Sequence, residues 1–191
     1  MRPDAKIEYR GLDSLIESEE FFAGIIRVYD HIDEFVTRHV DEAVVYHLQH
    51  RSKEVTVIFG GDSGDPYSAF AIYDSLRWSV KNGLHVLGIC SGLICPAASM
   101  IALQGCSIRT ATAHTRLLIE EPSKWVLIEN NKLSDMEDQA AELKVITDAM
   151  LKILVPRCKK TEKEVQDFIN RRARFLSASE ALDFGLIDTI Y

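Results

Sequence analysis

From residue 25 onward, apolar positions fall into two alternating rhythms. Ile25 to Tyr29 is a β-branched run and reads as a strand. Between Asp30 and Gln49, the residues Ile32, Val36, Val40, Val44 and Leu48 recur every four positions, with Phe35 and Ala43 beside them. That period predicts an amphipathic helix. Val55 to Phe59 is a short continuous apolar run, and the Gly-Gly-Asp-Ser-Gly-Asp-Pro sequence from Gly60 to Pro66 marks a loop. The pattern then predicts a helix over Ala69–Val80 closed by Gly83, a buried strand over Leu84–Ile89 and a helix over Gly92–Gln104. Ile108–Thr112 and Arg116–Ile119 read as further strands.

The second half is mostly helical. Met136, Ala140, Leu143, Ile146, Met150 and Ile153 share one helical face, and Pro156 ends that helix. Thr161 with Glu164 and Ser177 with Glu180 are capping boxes that open two shorter helices, the second stopped by Gly185. Ile187 to Tyr191 reads as a terminal strand. Strands that alternate with helices imply βαβ units and a mostly parallel sheet, so the expected class is α/β. The expected organisation is an N-terminal arm or short helix over residues 1–24 and a single domain over residues 25–191.

Composition narrows the choice. The chain has 191 residues, 47% hydrophobic and 27% charged, as in a globular domain with a substantial core. The net charge of −7 argues against a nucleic-acid or anionic-membrane surface, which needs a basic patch. The apolar stretch Leu84 to Leu103 is interrupted by His85, Gly88, Ser91, Gly92, Pro96 and Ser99. It reads as a strand and a helix, not as a membrane span. Residues 1–11 contain no apolar core of a signal peptide, and the expectation is a cytoplasmic protein. Cys90, Cys95, Cys106 and Cys158 match no zinc spacing and read as reduced core thiols. His47 and His50 share a helical face but lack a clear third ligand, so neither metal nor cofactor is expected.

Three segments carry a family resemblance. They are Ala71-Ile-Tyr-Asp-Ser-Leu76, the run Gly92-Leu-Ile-Cys-Pro-Ala-Ala-Ser-Met-Ile-Ala-Leu-Gln-Gly105, and Arg174-Phe-Leu-Ser-Ala through Gly185-Leu-Ile-Asp188. Together they resemble the ClpP peptidases of the ClpP/crotonase superfamily, over roughly residues 25–191. The resemblance implies stacked βαβ units with a helical handle, the latter matching the Met136–Ile153 helix. It also implies subunits stacked as heptameric rings around a chamber fed by an unfoldase ATPase, and a Ser-His-Asp triad.

Each triad position transfers separately. The base position falls on Glu120 in Arg116-Leu-Leu-Ile-Glu120-Glu-Pro122, and the orienting-acid position falls on Ala173. The nucleophile has two registers. Matching Ala-Ala-Ser-Met makes it Ser99. An ungapped match from Gly92 to Gly105 makes it Pro96, with Ser99 a second, packing serine as in phage-type variants. The first register removes about four residues from a buried helix or the turn after it. Within the helix, that would rotate the remainder by about 40° and shorten it by about 6 Å, so the second is preferred. The backbone oxyanion hole maps to Gly64 and Ala97, or to Met100 in place of Ala97 if Ser99 were the nucleophile.

These positions lead to a non-catalytic proteolytic-subunit homologue with an assembly or regulatory role in a ring-shaped complex. Its partners would be further copies of itself or an active ClpP-type subunit, with an unfoldase ATPase. One alternative is an active serine endopeptidase using Ser99, with Glu120 or a displaced His114 as base. Another is a crotonase-like acyl-CoA enzyme using Glu120 or Glu121.

Overall fold

The computed structural model describes residues 18–29, 31–61, 64–94, 97–123, 132–170 and 173–191. After a short helical stretch at residues 18–22, strand β1 (Ile25–Val28) leads to helix α1 (Glu34–Gln49), β2 (Glu54–Phe59), helix α2 (Pro66–Lys81) and β3 (His85–Cys90). Next come β4 (Leu93–Ile94), helix α3 (Ala97–Leu103), β5 (Ile108–Ala111) and β6 (Arg116–Ile119). Helices α4 (Leu133–Leu154) and α5 (Glu162–Ile169), strand β7 (Arg174–Ser177), helix α6 (Ala178–Phe184) and β8 (Thr189–Ile190) complete the order.

The strands form two sheets. The larger has the order β1-β2-β3-β5-β8, with every neighbouring pair parallel, as the α/β pattern requires. Strand β2 alternates between buried Val55, Val57 and Phe59 and less buried residues, so one face of the sheet carries the core. Ile72 and Leu76 of α2 and Met100, Ile101 and Leu103 of α3 are buried in that core.

The capping chemistry acts as predicted. Glu164 accepts from the Thr161 amide and Glu180 from the Ser177 amide, both at 2.8 Å. These bonds hold both carboxyls below the usual glutamate range.

Two elements differ from the sequence expectation. The helix expected over Gly92–Gln104 starts only at Ala97, and Leu93–Ile94 before it is a strand. Gly92 turns the chain at φ +79, and its carbonyl accepts from the Arg116 amide at 3.0 Å. The backbone that follows is thereby committed to a ladder with β6. Strand β7 was not foreseen. Together, β4, β6 and β7 make the smaller sheet, in which β6 runs parallel to β4 and antiparallel to β7.

Helix α4 is buried only in its C-terminal part, at Ile146, Met150, Leu151 and Leu154. Met136 and Ala140 are exposed, so the apolar face read from the sequence is only half covered, and Leu133 and Val145 beside it are exposed as well. No helix among the described residues is long and apolar enough to cross a membrane.

Candidate functional site

The smaller sheet gathers the predicted positions at one edge. Strand β4 leaves the sheet toward α3 at its C-terminal end. Because β6 is parallel to β4, with Ile94 beside Leu117, its C-terminal end points the same way. Glu120 follows directly after Ile119. Ile119 pairs with Arg174 of antiparallel β7, the last pair of the ladder, and Ala173 immediately precedes Arg174. The positions expected for base and acid, Glu120 and Ala173, thus both adjoin the Ile119–Arg174 end of the ladder. Glu120 is half-buried and Ala173 is exposed. Glu121 is exposed as well.

Gly64 reaches the same place from the larger sheet. It forms a parallel bridge with Ile32 in the loop after β2. A Cβ built on it would lie 2.6 Å from the Cβ of Ala98 and 2.6 Å from the Cβ of Ile32. The Gly64 backbone therefore lies against the first turn of α3, beside Ala97. Pro96 lies outside the described residues. Gly64, one position expected in the oxyanion hole, is thus set against Ala98, the residue after the other, Ala97.

Ser99 is different. It is the third residue of α3 and is 0% exposed. Its Oγ has no hydrogen-bond partner. A hydroxyl in that state has neither a base to activate it nor an open path to substrate.

The histidines are elsewhere. His114 is exposed in the turn before β6, at the end of that strand opposite Glu120. The six steps between them span roughly 20 Å of extended chain. His47 is buried, and its Nε2 bonds to the Phe21 carbonyl at 2.8 Å while Nδ1 bonds to Ser52 Oγ at 2.8 Å. It ties the N-terminal helical residues to the end of α1. Among the described residues, no group of three or more His, Cys, Asp or Glu side chains could hold a metal ion.

The C-terminal signature has a structural use that sequence reasoning missed. Asp188 binds Arg109, which is 3% exposed: Arg109 Nη2 donates to Oδ1 at 2.5 Å, and its Nε and backbone amide donate to Oδ2 at 3.0 and 2.8 Å. Arg109 Nη1 also donates to Gln104 Oε1 at 2.5 Å and to the Gly185 carbonyl at 2.9 Å. This network ties β5 to the end of α3 and to the chain leaving α6. Burial alone would raise the Asp188 carboxyl, but the bonds from Arg109 outweigh it and hold the carboxyl below its ordinary value.

Comparison with known proteins agrees with this architecture. The model of the Clp protease family matches residues 15–191. The chain belongs to the Clp protease family. It is 27% identical over 169 residues to an ATP-dependent Clp protease proteolytic subunit of Porphyromonas gingivalis, covering 87% of this chain and 72% of the relative. A proteolytic subunit 2 from Thermobifida fusca is 25% identical over 159 residues, covering 83% of this chain and 75% of its own length. A proteolytic subunit 1 from Mycolicibacterium paratuberculosis is 30% identical over 139 residues, covering 72% and 64% respectively. The family membership accords with the mostly parallel α/β fold and with the edge at which β4, β6 and β7 converge.

Proposed function

We propose that this chain is a non-catalytic proteolytic-subunit homologue with an assembly or regulatory role in a ring-shaped Clp-type peptidase complex. The observation that carries the reading is the pairing at the edge of the smaller sheet. There, Glu120 follows and Ala173 precedes the last pair of the ladder, Ile119 and Arg174, where a base and its orienting acid would stand. A solvated carboxylate is a weak base toward a serine hydroxyl, and an alanine orients nothing. The buried, unpartnered Ser99 supports the register in which Pro96 occupies the nucleophile position. Triad members act as a unit, so loss of all three leaves at most the backbone oxyanion donors at Gly64 and Ala97.

The assembly part of the proposal rests on exposed apolar surface. Phe35 and Tyr67 are 66% and 51% exposed on α1 and α2, and Leu133, Met136 and Val145 are exposed along α4. Large apolar side chains grouped on a surface mark interaction sites. In this reading, α4 is a handle between rings, residues 25–191 are the ring-forming domain, residues 1–24 are an arm, and the complex works in the cytoplasm with an unfoldase ATPase. The ring is made of further copies or shared with an active subunit. Native mass spectrometry of the chain alone, and mixed with an active subunit, separates those two cases.

The chemical test is intact-mass detection of a fluorophosphonate adduct, beside Ser99→Ala and an active Clp proteolytic subunit. The expected result is no adduct on this chain while the active subunit labels. Labelling that disappears in Ser99→Ala would restore the endopeptidase reading and overturn this one.

A further inference from the structure

The outer surface of α1 and α2 is acidic. Gly64 and Ile32 form a parallel bridge, and the Asp65 amide donates to the Ile32 carbonyl at 2.8 Å, so the two helices start side by side. Asp33 and Asp65 cap them and answer the helix dipoles. Over roughly the first three turns, exposed Glu34, Asp41, Glu42 and Asp74 then stand against one cation, Arg38. Among the described residues, none of the ion pairs takes any of these four carboxylates. Between the helices lies a cleft of about 450 Å³, lined by Glu34, Arg38, Asp41, Tyr67 and Ala71 among others. Tyr67 is exposed on one lip, and Phe35 is exposed beside the other, its ring 6.0 Å from the Arg38 guanidinium carbon.

The complement is the corner between α4 and α5. From Ala149 to Thr161 there is no carboxylate, while Lys152, Lys159 and Lys160 are exposed and Arg157 is half-buried. The tip of the corner is apolar, with Pro156 exposed and Val155 half-buried. Arg157 Nη2 donates to the Cys106 carbonyl at 3.0 Å, and the Lys159 amide donates to the Phe184 carbonyl at 2.9 Å. These bonds fix the corner beside the residues that enter β5. Helices α1 and α2, by contrast, start where β1 and β2 end. All strands of the larger sheet are parallel, so the acidic cleft and the basic corner lie toward opposite ends of it.

An acidic cleft with aromatic lips fits an apolar knob ringed by cations. Contact of either face with its own kind would set like charges together. We infer that the α1–α2 cleft docks the α4–α5 corner of a second copy of this chain, with Val155 and Pro156 between the helices and the lysines facing Glu34 and Asp41. Two different surfaces meet, so the contact is heterologous, and each copy offers one face to the copy before it and the other to the copy after. A contact of that kind closes into a ring when its rotation allows. This docking rests on the assembly role proposed above and gives it its two surfaces.

The test is sedimentation velocity and native mass spectrometry of the full chain, at about 50 and about 500 mM salt. The unaltered chain should associate, and less so at the higher salt. Glu34→Lys with Asp41→Lys makes both faces basic, and Lys152→Glu with Lys160→Glu makes both acidic. Each pair of substitutions should weaken association by about tenfold or more. Circular dichroism checks that both variants fold. Mixed in equal amounts, the two variants should associate again, because each basic face then meets an acidic one; a misfolded variant would not be rescued by the other. Association unmoved by either pair, or no rescue on mixing, overturns this docking while the assembly role stands. Assembly that occurs only with an active Clp proteolytic subunit, and is insensitive to Lys152→Glu with Lys160→Glu, assigns the cleft to that subunit and overturns the second copy as its occupant. A chain that stays monomeric both alone and beside an active subunit overturns both readings.

Discussion

Replacing Arg109 with methionine removes the guanidinium while keeping most of the side-chain volume. Two buried acceptors then lose their donor: Gln104 Oε1, on a residue that is 0% exposed, and the carbonyl of buried Gly185. Each orphaned acceptor costs about 1–2 kcal/mol. The Arg109–Asp188 pair adds less than a fully buried pair would, because the Asp188 side chain is 41% exposed and solvent screens it. About 1 kcal/mol is a suitable share for it. The expected loss is therefore about 3–5 kcal/mol, or roughly 10 °C in Tm for a chain of this size. Urea unfolding at one fixed protein concentration measures it, since any assembly would make stability depend on concentration. Asp188→Asn, which keeps the shape and loses the charge, should cost less. The pH dependence gives an independent reading. Asp188 has a lowered carboxyl pKa in the folded state, so its contribution is present above the unfolded value near pH 3.9 and fades as pH falls through the folded value. The parent should thus lose stability below about pH 4 more steeply than Arg109→Met. A loss under about 1 kcal/mol, with an unchanged acid limb, would refute the argument that this network fastens α3 and β8 to β5.

Other consequences can be checked with single variants. Gly185 closes α6 at φ +91, and a Cβ there would lie 2.6 Å from the Lys159 amide nitrogen, so Gly185→Ala should cost more than about 2 kcal/mol in urea unfolding. Ser177→Ala removes the acceptor of the Glu180 amide at 3.3 Å and should cost about 1 kcal/mol by the same assay. Burial pushes the Cys106 thiol up to about 12 and Cys158 up to about 11, and drives Cys90 higher than either. With maleimide at pH 8 and peptide mapping, half-buried Cys158 should label before Cys90 and Cys106, which react only at the rate of opening; prompt labelling of the latter two would contradict their burial.

What the sequence discloses, and what it hides, follows from the range of the interactions. Helix α1, strand β2 and the two capping boxes are local: their signal lies in a period of four, in a continuous apolar run, or in two residues three apart. Strands β4 and β7 are not local. Two and four residues long, they carry no period, and they become strands only because β6 lies between them. For the same reason, Glu120 and Ala173 could be assigned one at a time by resemblance, while their placement at one end of the ladder depends on a pairing between residues 55 apart, Ile119 and Arg174. The Arg109–Asp188 bond spans 79 residues and left no trace in any local pattern. The late start of α3 has a similar origin, since helical spacing from Gly92 was overridden by the bond from Arg116.

The parts that made the family legible have packing reasons to exist. Gly64 cannot carry a Cβ without meeting Ala98 and Ile32 at 2.6 Å, whatever its amide does for an oxyanion. Asp188 in the Gly-Leu-Ile-Asp signature anchors Arg109, and Gly185 supplies a left-handed helix end. Ser99 fills the buried side of α3. None of these residues needs peptide hydrolysis to explain it. On the proposed assignment, the positions whose identity only chemistry would dictate are Glu120 and Ala173, which lie just beyond the last pair of the smaller sheet's ladder, where a side chain can vary at little structural cost. An active peptidase would be constrained most tightly at those positions. On the proposed assignment they depart from the triad while the packing residues keep their structural roles, which is the pattern expected when the architecture is used and the chemistry is not.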